Sequence, residues 1–76
     1  MNKKFINDYR EFEPIIYSRL YNKLKDVHLV EDLLQNIFES YFKRIDKVEN
    51  KRKWLLGAMR NQLFLYYQIF HFPKTD

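Results

Sequence analysis

The residues whose types most clearly suggest a chemical function form a basic cluster. Residues 43–53 carry six cations against only two acids, Asp46 and Glu49. The cations are Lys43, Arg44, Lys47, Lys51, Arg52 and Lys53. A local excess of positive charge suits a polyanion such as a nucleic acid. From charge alone, a solvated linker between two helices is the favoured interpretation, and nucleic-acid binding is the alternative.

Side chains suited to catalysis are sparse. His28 and His71 are 43 residues apart, and the side chains of the adjacent Glu31 and Asp32 point in different directions on a helix. Neither pair therefore suggests general acid–base catalysis. No metalloprotease, nucleophile-elbow or phosphate-loop motif occurs, and there is no cysteine. We therefore expect a binding module rather than an enzyme, with no metal and no cofactor.

Length and composition limit the architecture. The chain has 76 residues, of which 46% are hydrophobic, and it contains one glycine and two prolines. So few turn-forming residues disfavour a many-stranded β fold and predict one all-α domain over residues 1–76. Charges interrupt every apolar run well short of the ~20 residues of a membrane span. The N-terminal residues lack the apolar core of a signal peptide, so we expect a cytoplasmic protein without membrane contact.

The first helix is predicted from apolar residues at steps of three and four. They are Phe5, Tyr9, Phe12, Ile16, Leu20 and Leu24. Pro14 interrupts this stretch, and a proline inside a helix removes a backbone donor. We expect either a helix that begins near Glu13 or an earlier helical turn that is kinked at Pro14.

Two further helices follow. Asp26 is suited to cap the second one, whose apolar face runs from Val27 to Ile45. Residues 44–53 are polar and predict a loop, with Asn50 as the cap of a third helix over about 51–70. The predicted buried face of the third helix consists of Trp54, Leu55, Ala58, Gln62, Leu65 and Ile69. Its other faces are also apolar, and we expect Tyr66 and Tyr67 to lie in the core or at its edge.

Two motifs on these helices resemble a known family. VEDLLQNIFESYF at residues 30–42 is followed, after the basic segment, by KWLLGAMRN at residues 53–61. Together they resemble region 2 of bacterial RNA polymerase sigma factors, most of all the extracytoplasmic-function group. The matching residues are Glu31, Asp32, Leu33, Gln35, Phe38, Trp54, Leu55 and Asn61. The resemblance spans roughly residues 12–67 and implies a small bundle of three principal helices.

The family's roles map onto specific positions. The resemblance implies that the polar face of the second helix binds the clamp helices of the polymerase β′ subunit. The corresponding residues are Asp32, Gln35, Asn36 and Glu39. It also implies that the loop before the third helix captures a base of the non-template strand and opens the −10 promoter element. The implied DNA-binding residues are Lys43, Arg44, Lys47, Lys51, Arg52, Lys53, Arg60 and Asn61.

The chain also departs from the family. Leu65 and Gln68 stand where the family often has an acidic and a basic residue, and aromatic residues replace its basic end. No region 4 domain is present, so the chain is either a fragment of a longer sigma factor or a stand-alone relative. An alternative is a sigma-like helical module that has lost DNA contact and binds protein. Phe70 and Phe72 would then meet an anti-sigma protein or a second copy.

Overall fold

Three helices account for almost all of the described chain. The computed structural model describes residues 3–70, and the side chains of residues 3–68. The helices are α1 (Lys3–Leu24), α2 (Val27–Arg44) and α3 (Lys51–Phe70), with a short 3-10 turn at Ile45–Lys47 between the last two. No strand occurs within residues 3–70. The prediction of a small all-α bundle is confirmed.

Helix α1 runs through Pro14 without ending there. A start near Glu13 is therefore wrong, because the helix is already formed at Lys3. Pro14 itself is exposed, so water can hydrate the carbonyl that loses its amide partner. Phe12 and Ile16 on either side are buried, and this packing holds the helix together across the proline.

Two capping residues set the helix starts. The backbone amide of Leu29 donates to Asp26 Oδ1 at 3.0 Å, and the amide of Lys53 donates to Asn50 Oδ1 at 3.0 Å. Each bond satisfies an amide that has no partner within its helix. Both predicted caps are confirmed. Helix α1 ends at Leu24, and Lys25 follows it with a φ of 55°, unusual for a non-glycine residue; its amide donates to the Tyr21 carbonyl at 2.8 Å.

The core lies where the three helices meet. α2 contributes six of its thirteen buried hydrophobic residues, the largest share, and lies against both other helices. The buried hydrophobic residues are Phe12, Ile16, Leu20, Val30, Leu33, Leu34, Ile37, Phe38, Tyr41, Ile45, Leu55, Met59 and Leu63. None of the helices within residues 3–70 combines the length and the apolar character that crossing a membrane requires.

Helix α3 faces the core with a different side from the predicted one. Leu55 is buried as expected, but Met59 and Leu63 follow it in place of Ala58, Gln62 and Leu65. Because α3 is apolar on nearly all sides, its hydrophobic periodicity does not specify a single buried face. The side chain of Ile69 lies outside the described residues.

The predicted loop over residues 44–53 is also shorter than expected. Arg44 is the last residue of α2, and Lys51 opens α3. Between them, Ile45 is buried and Val48 packs against the core. These two apolar side chains hold the connection between α2 and α3 against the bundle. The backbone that bears the basic cluster therefore has a fixed position.

A buried carboxylate joins all three helices. Asp8 of α1 is only 3% exposed. Tyr41 Oη of α2 donates to Asp8 Oδ2 at 2.6 Å, and Lys51 Nζ of α3 donates to Asp8 Oδ1 at 3.0 Å. Lys51 Nζ also lies 3.4 Å from Glu11 Oε1. We call Asp8, Tyr41 and Lys51 the junction triad.

The substitution Tyr41→Phe removes one hydroxyl from this triad. We expect the free energy of unfolding to fall by about 1.5–3 kcal/mol, because a buried carboxylate loses a charge-assisted hydrogen bond. Urea denaturation measures the change. Tyr21→Phe is the matched control, since the Tyr21 hydroxyl makes no hydrogen bond within the described residues. Equal effects of the two substitutions would contradict a stabilising role for the triad.

Candidate nucleic-acid interface

A groove of about 730 Å³ runs between α2 and α3 and ends at the 3-10 turn. Arg44 from the end of α2, Lys47 from the turn and Lys53 from the first turn of α3 all line it. We call this the cation groove. The Asn50 cap begins α3 directly after the turn, which brings the three cations to one site. Glu49 lines the same groove and is its one carboxylate among the described residues.

An aromatic ring and three amides besides that of the Asn50 cap also line the groove. Trp54 is half-buried, with its ring 5.5 Å from the ring of Tyr41. Asn36 Nδ2 of α2 donates to Gln62 Oε1 of α3 at 3.3 Å, and Asn61 lies beside this pair on the groove. Cations contact phosphates, aromatic faces stack on bases, and amides hydrogen-bond to base edges. The groove therefore has the components that a single-stranded nucleic acid requires.

The eight predicted DNA-binding residues divide into separate groups. Arg44, Lys47, Lys53 and Asn61 share the cation groove. Lys43 instead lines a groove between α1 and α2. Arg52 and Arg60 are exposed on α3 outside the lining of both grooves, and Lys51 is taken up by the junction triad.

The electrostatics of the junction triad explain why Lys51 is set apart. Burial by itself raises the pKa of Asp8, but the hydrogen bonds from Tyr41 and Lys51 outweigh it and hold the pKa below its usual value of 3.8. The hydrogen bond to Asp8, followed by the contact with Glu11, raises the pKa of Lys51. The charged forms of Asp8 and Lys51 are therefore favoured together, and Lys51 joins α3 to α1.

The four predicted polymerase-binding residues are all exposed on α2. Gln35 and Glu39 line the groove between α1 and α2, whereas Asn36 lines the cation groove. Asp32, Gln35 and Glu39 make no hydrogen bond or ion pair within the described part of the chain. The predicted face is thus a solvent-facing strip of α2 that separates two grooves.

The groove between α1 and α2 was not expected from the sequence. It has a volume of about 820 Å³ and aromatic walls. Tyr9, which belongs to the apolar face predicted for α1, is 41% exposed, and Phe42, which borders the apolar face of α2, is 48% exposed. Phe5 and Phe42 meet edge to face, with their ring centroids 5.0 Å apart. We call this the aromatic groove.

Asp8 is the other residue that sequence reasoning missed. It follows Phe5 by three positions and precedes Phe12 by four, so it lies on the apolar face of α1. An acid at such a position indicates a buried partner on another helix, and this placement is the available clue. Its partners Tyr41 and Lys51 are remote in sequence.

Several predictions at the C-terminal end have mixed outcomes. Leu55 is buried and Trp54 half-buried, as expected for core positions. Tyr66 is half-buried, whereas Tyr67 is exposed. The predicted contacts of Phe70 and Phe72 fall outside the described side chains. Within the described residues, no group of three or more His, Asp or Glu side chains is placed to hold a metal ion.

Comparisons with models of protein families, with curated proteins and with solved structures find no match to this chain.

The substitution Asp8→Asn tests the electrostatics of the triad. A carboxyl whose pKa is lowered in the folded state contributes stability above its unfolded pKa and loses it as the pH falls through the folded pKa. We expect Asp8→Asn to be less stable than wild type at about pH 7, with the difference shrinking below about pH 3.8. Urea denaturation across this range measures both. The exposed Asp32→Asn is the control, and a pH-independent difference at Asp8 would contradict the assignment.

Proposed function

We propose that this chain is a sigma-factor region 2 domain, which binds the β′ clamp helices of core RNA polymerase and engages the opened −10 promoter element. The cation groove is the observation that carries this proposal. It lies between the second and third helices, where the resemblance to sigma factors expects a base-capturing loop. It combines Arg44, Lys47 and Lys53 with the ring of Trp54.

A single strand fits this groove better than a duplex does. The cations surround a concave site instead of standing along one protruding helix face, so they suit a backbone that bends into the site. Stacking of a base on an aromatic side chain contributes about 1–3 kcal/mol and accepts any base. The amides of Asn36, Asn61 and Gln62 add donors and acceptors for a base edge.

The polar strip of α2 suits the polymerase contact. Asp32 and Glu39 supply negative charge, and Gln35 supplies an amide on the same exposed face. They stand on a helix that is fixed at its start by the Asp26 cap and along its length by the core. A rigid, unpaired polar strip is available for a basic helical partner, in agreement with the clamp contact that the resemblance implies.

The variant Arg44→Ala/Lys47→Ala/Lys53→Ala tests DNA binding. The probe is a fluorescent single-stranded oligonucleotide that carries the −10 element, titrated at several salt concentrations. Each lost phosphate contact flattens the slope of log K against log salt by about 0.7 for single strands, so we expect a slope flatter by about 2.

The control for this experiment removes the same charge from α1. Arg10→Ala/Arg19→Ala/Lys23→Ala takes away three exposed cations that line neither groove. We expect this control to retain the wild-type slope. Equal slopes for the groove variant and the wild type would exclude the cation groove as the DNA site. A variant at Lys51 is less informative, because it also breaks the junction triad.

The double variant Asp32→Ala/Gln35→Ala tests the polymerase contact. We expect at least about ten-fold weaker binding to purified core RNA polymerase, equivalent to the loss of about 1.4 kcal/mol, with an unchanged far-UV circular dichroism spectrum. Asn22→Ala/Asp46→Ala is the matched control, since it removes one amide and one carboxylate from exposed sites elsewhere. Wild-type affinity in the Asp32/Gln35 variant would refute the α2 contact.

A further inference from the structure

Two surfaces of the molecule lie outside the cation groove, and they have opposite charge. One is the aromatic groove between α1 and α2, whose rim carries Glu13, Glu31 and Glu39 against the single cation Lys43. The rim is therefore net negative, whereas the whole chain has a net charge of +4. A negative rim repels nucleic acid and favours a basic partner with apolar side chains.

The other surface is a basic and apolar stripe on α3. It consists of Arg52, Leu56, Arg60 and Phe64 at steps of four residues, followed by Tyr67. Phe64 is 58% exposed, and both arginines are exposed. Helix α3 contains no acidic residue anywhere along its length. We call this surface the α3 stripe.

The two surfaces match in spacing as well as in charge. Glu31 and Glu39 are eight residues apart on α2, and Arg52 and Arg60 are eight residues apart on α3. A helical rise of about 1.5 Å per residue makes both separations about 12 Å. When α2 of one copy and α3 of another run parallel, the two glutamates can be aligned with the two arginines. Phe64 then lies at nearly the same height along the helix axis as the exposed ring of Phe42.

We propose that the aromatic groove of one copy binds the α3 stripe of a second copy, with Glu31 and Glu39 facing Arg52 and Arg60. The aromatic side chains of the groove cover Phe64, which is otherwise an exposed apolar ring. This inference goes beyond the proposed function, and its test contains neither DNA nor polymerase.

The contact joins two different surfaces and is therefore heterologous. Each copy then presents one groove and one stripe, so assembly either closes on itself or grows with concentration. We expect the mass of the wild type, measured by sedimentation equilibrium from about 10 µM to about 1 mM, to rise above that of one chain. The association should weaken with salt, because its ion pairs are exposed.

Charge reversal provides the decisive test. Glu31→Lys/Glu39→Lys makes the groove basic, and Arg52→Glu/Arg60→Glu makes the stripe acidic, so each variant alone should stay monomeric. An equimolar mixture of the two should associate again, because every groove then meets a stripe of opposite charge. Arg10→Glu/Arg19→Glu reverses two cations outside both surfaces and should associate as the wild type does.

A second variant keeps the test independent of charge. Phe64→Ser removes the exposed ring without adding a charge and is expected to raise the dissociation constant at least about ten-fold, with an unchanged circular dichroism spectrum. Val27→Ser alters another exposed apolar residue and serves as its control. A monomeric wild type at about 1 mM, or a mixture of the charge-reversed variants that stays monomeric, would overturn the proposal.

Discussion

The buried carboxylate of Asp8 is the constraint on which the arrangement of the three helices depends. An unpaired charge in the interior costs several kcal/mol, so Asp8 is tolerated only while its partners are in place. Those partners come from different helices, Tyr41 from α2 and Lys51 from α3. The triad therefore requires all three helices at once. Lys51 is the first residue of α3, so its contact with Asp8 also fixes the start of α3 beside the cation groove.

Helix α2 organises the rest of the molecule. It is buried on the side that faces α1 and α3, and it carries an exposed polar strip on the other side. The aromatic groove lies along one edge of this strip and the cation groove along the other. One helix thus separates a negative aromatic surface from a positive polar one.

Local features of the chain were predictable from sequence, and cross-helix features were not. The caps at Asp26 and Asn50 and the bounds of α3 depend on residues three or four positions apart, so their patterns are explicit. The rotation of α3 about its axis buries Met59 and Leu63, and it depends on where the neighbouring helices lie. Because α3 is apolar on nearly all sides, its sequence does not specify which side is buried. The types of the basic residues likewise indicated a binding site for nucleic acid. The ion pair of Lys51, however, depends on Asp8, which lies 43 positions earlier in the chain.

The left-handed Lys25 has a consequence for how the chain folds. Only Lys25 and Asp26 separate α1 from α2, so the two helices meet through a very short closed loop. Such local pairing is kinetically fast. The connection of six residues between α2 and α3 is longer, so we expect the hairpin of α1 and α2 to form first. A glycine at position 25 would relieve the positive φ but also loosen the unfolded chain, so its two effects on stability oppose each other.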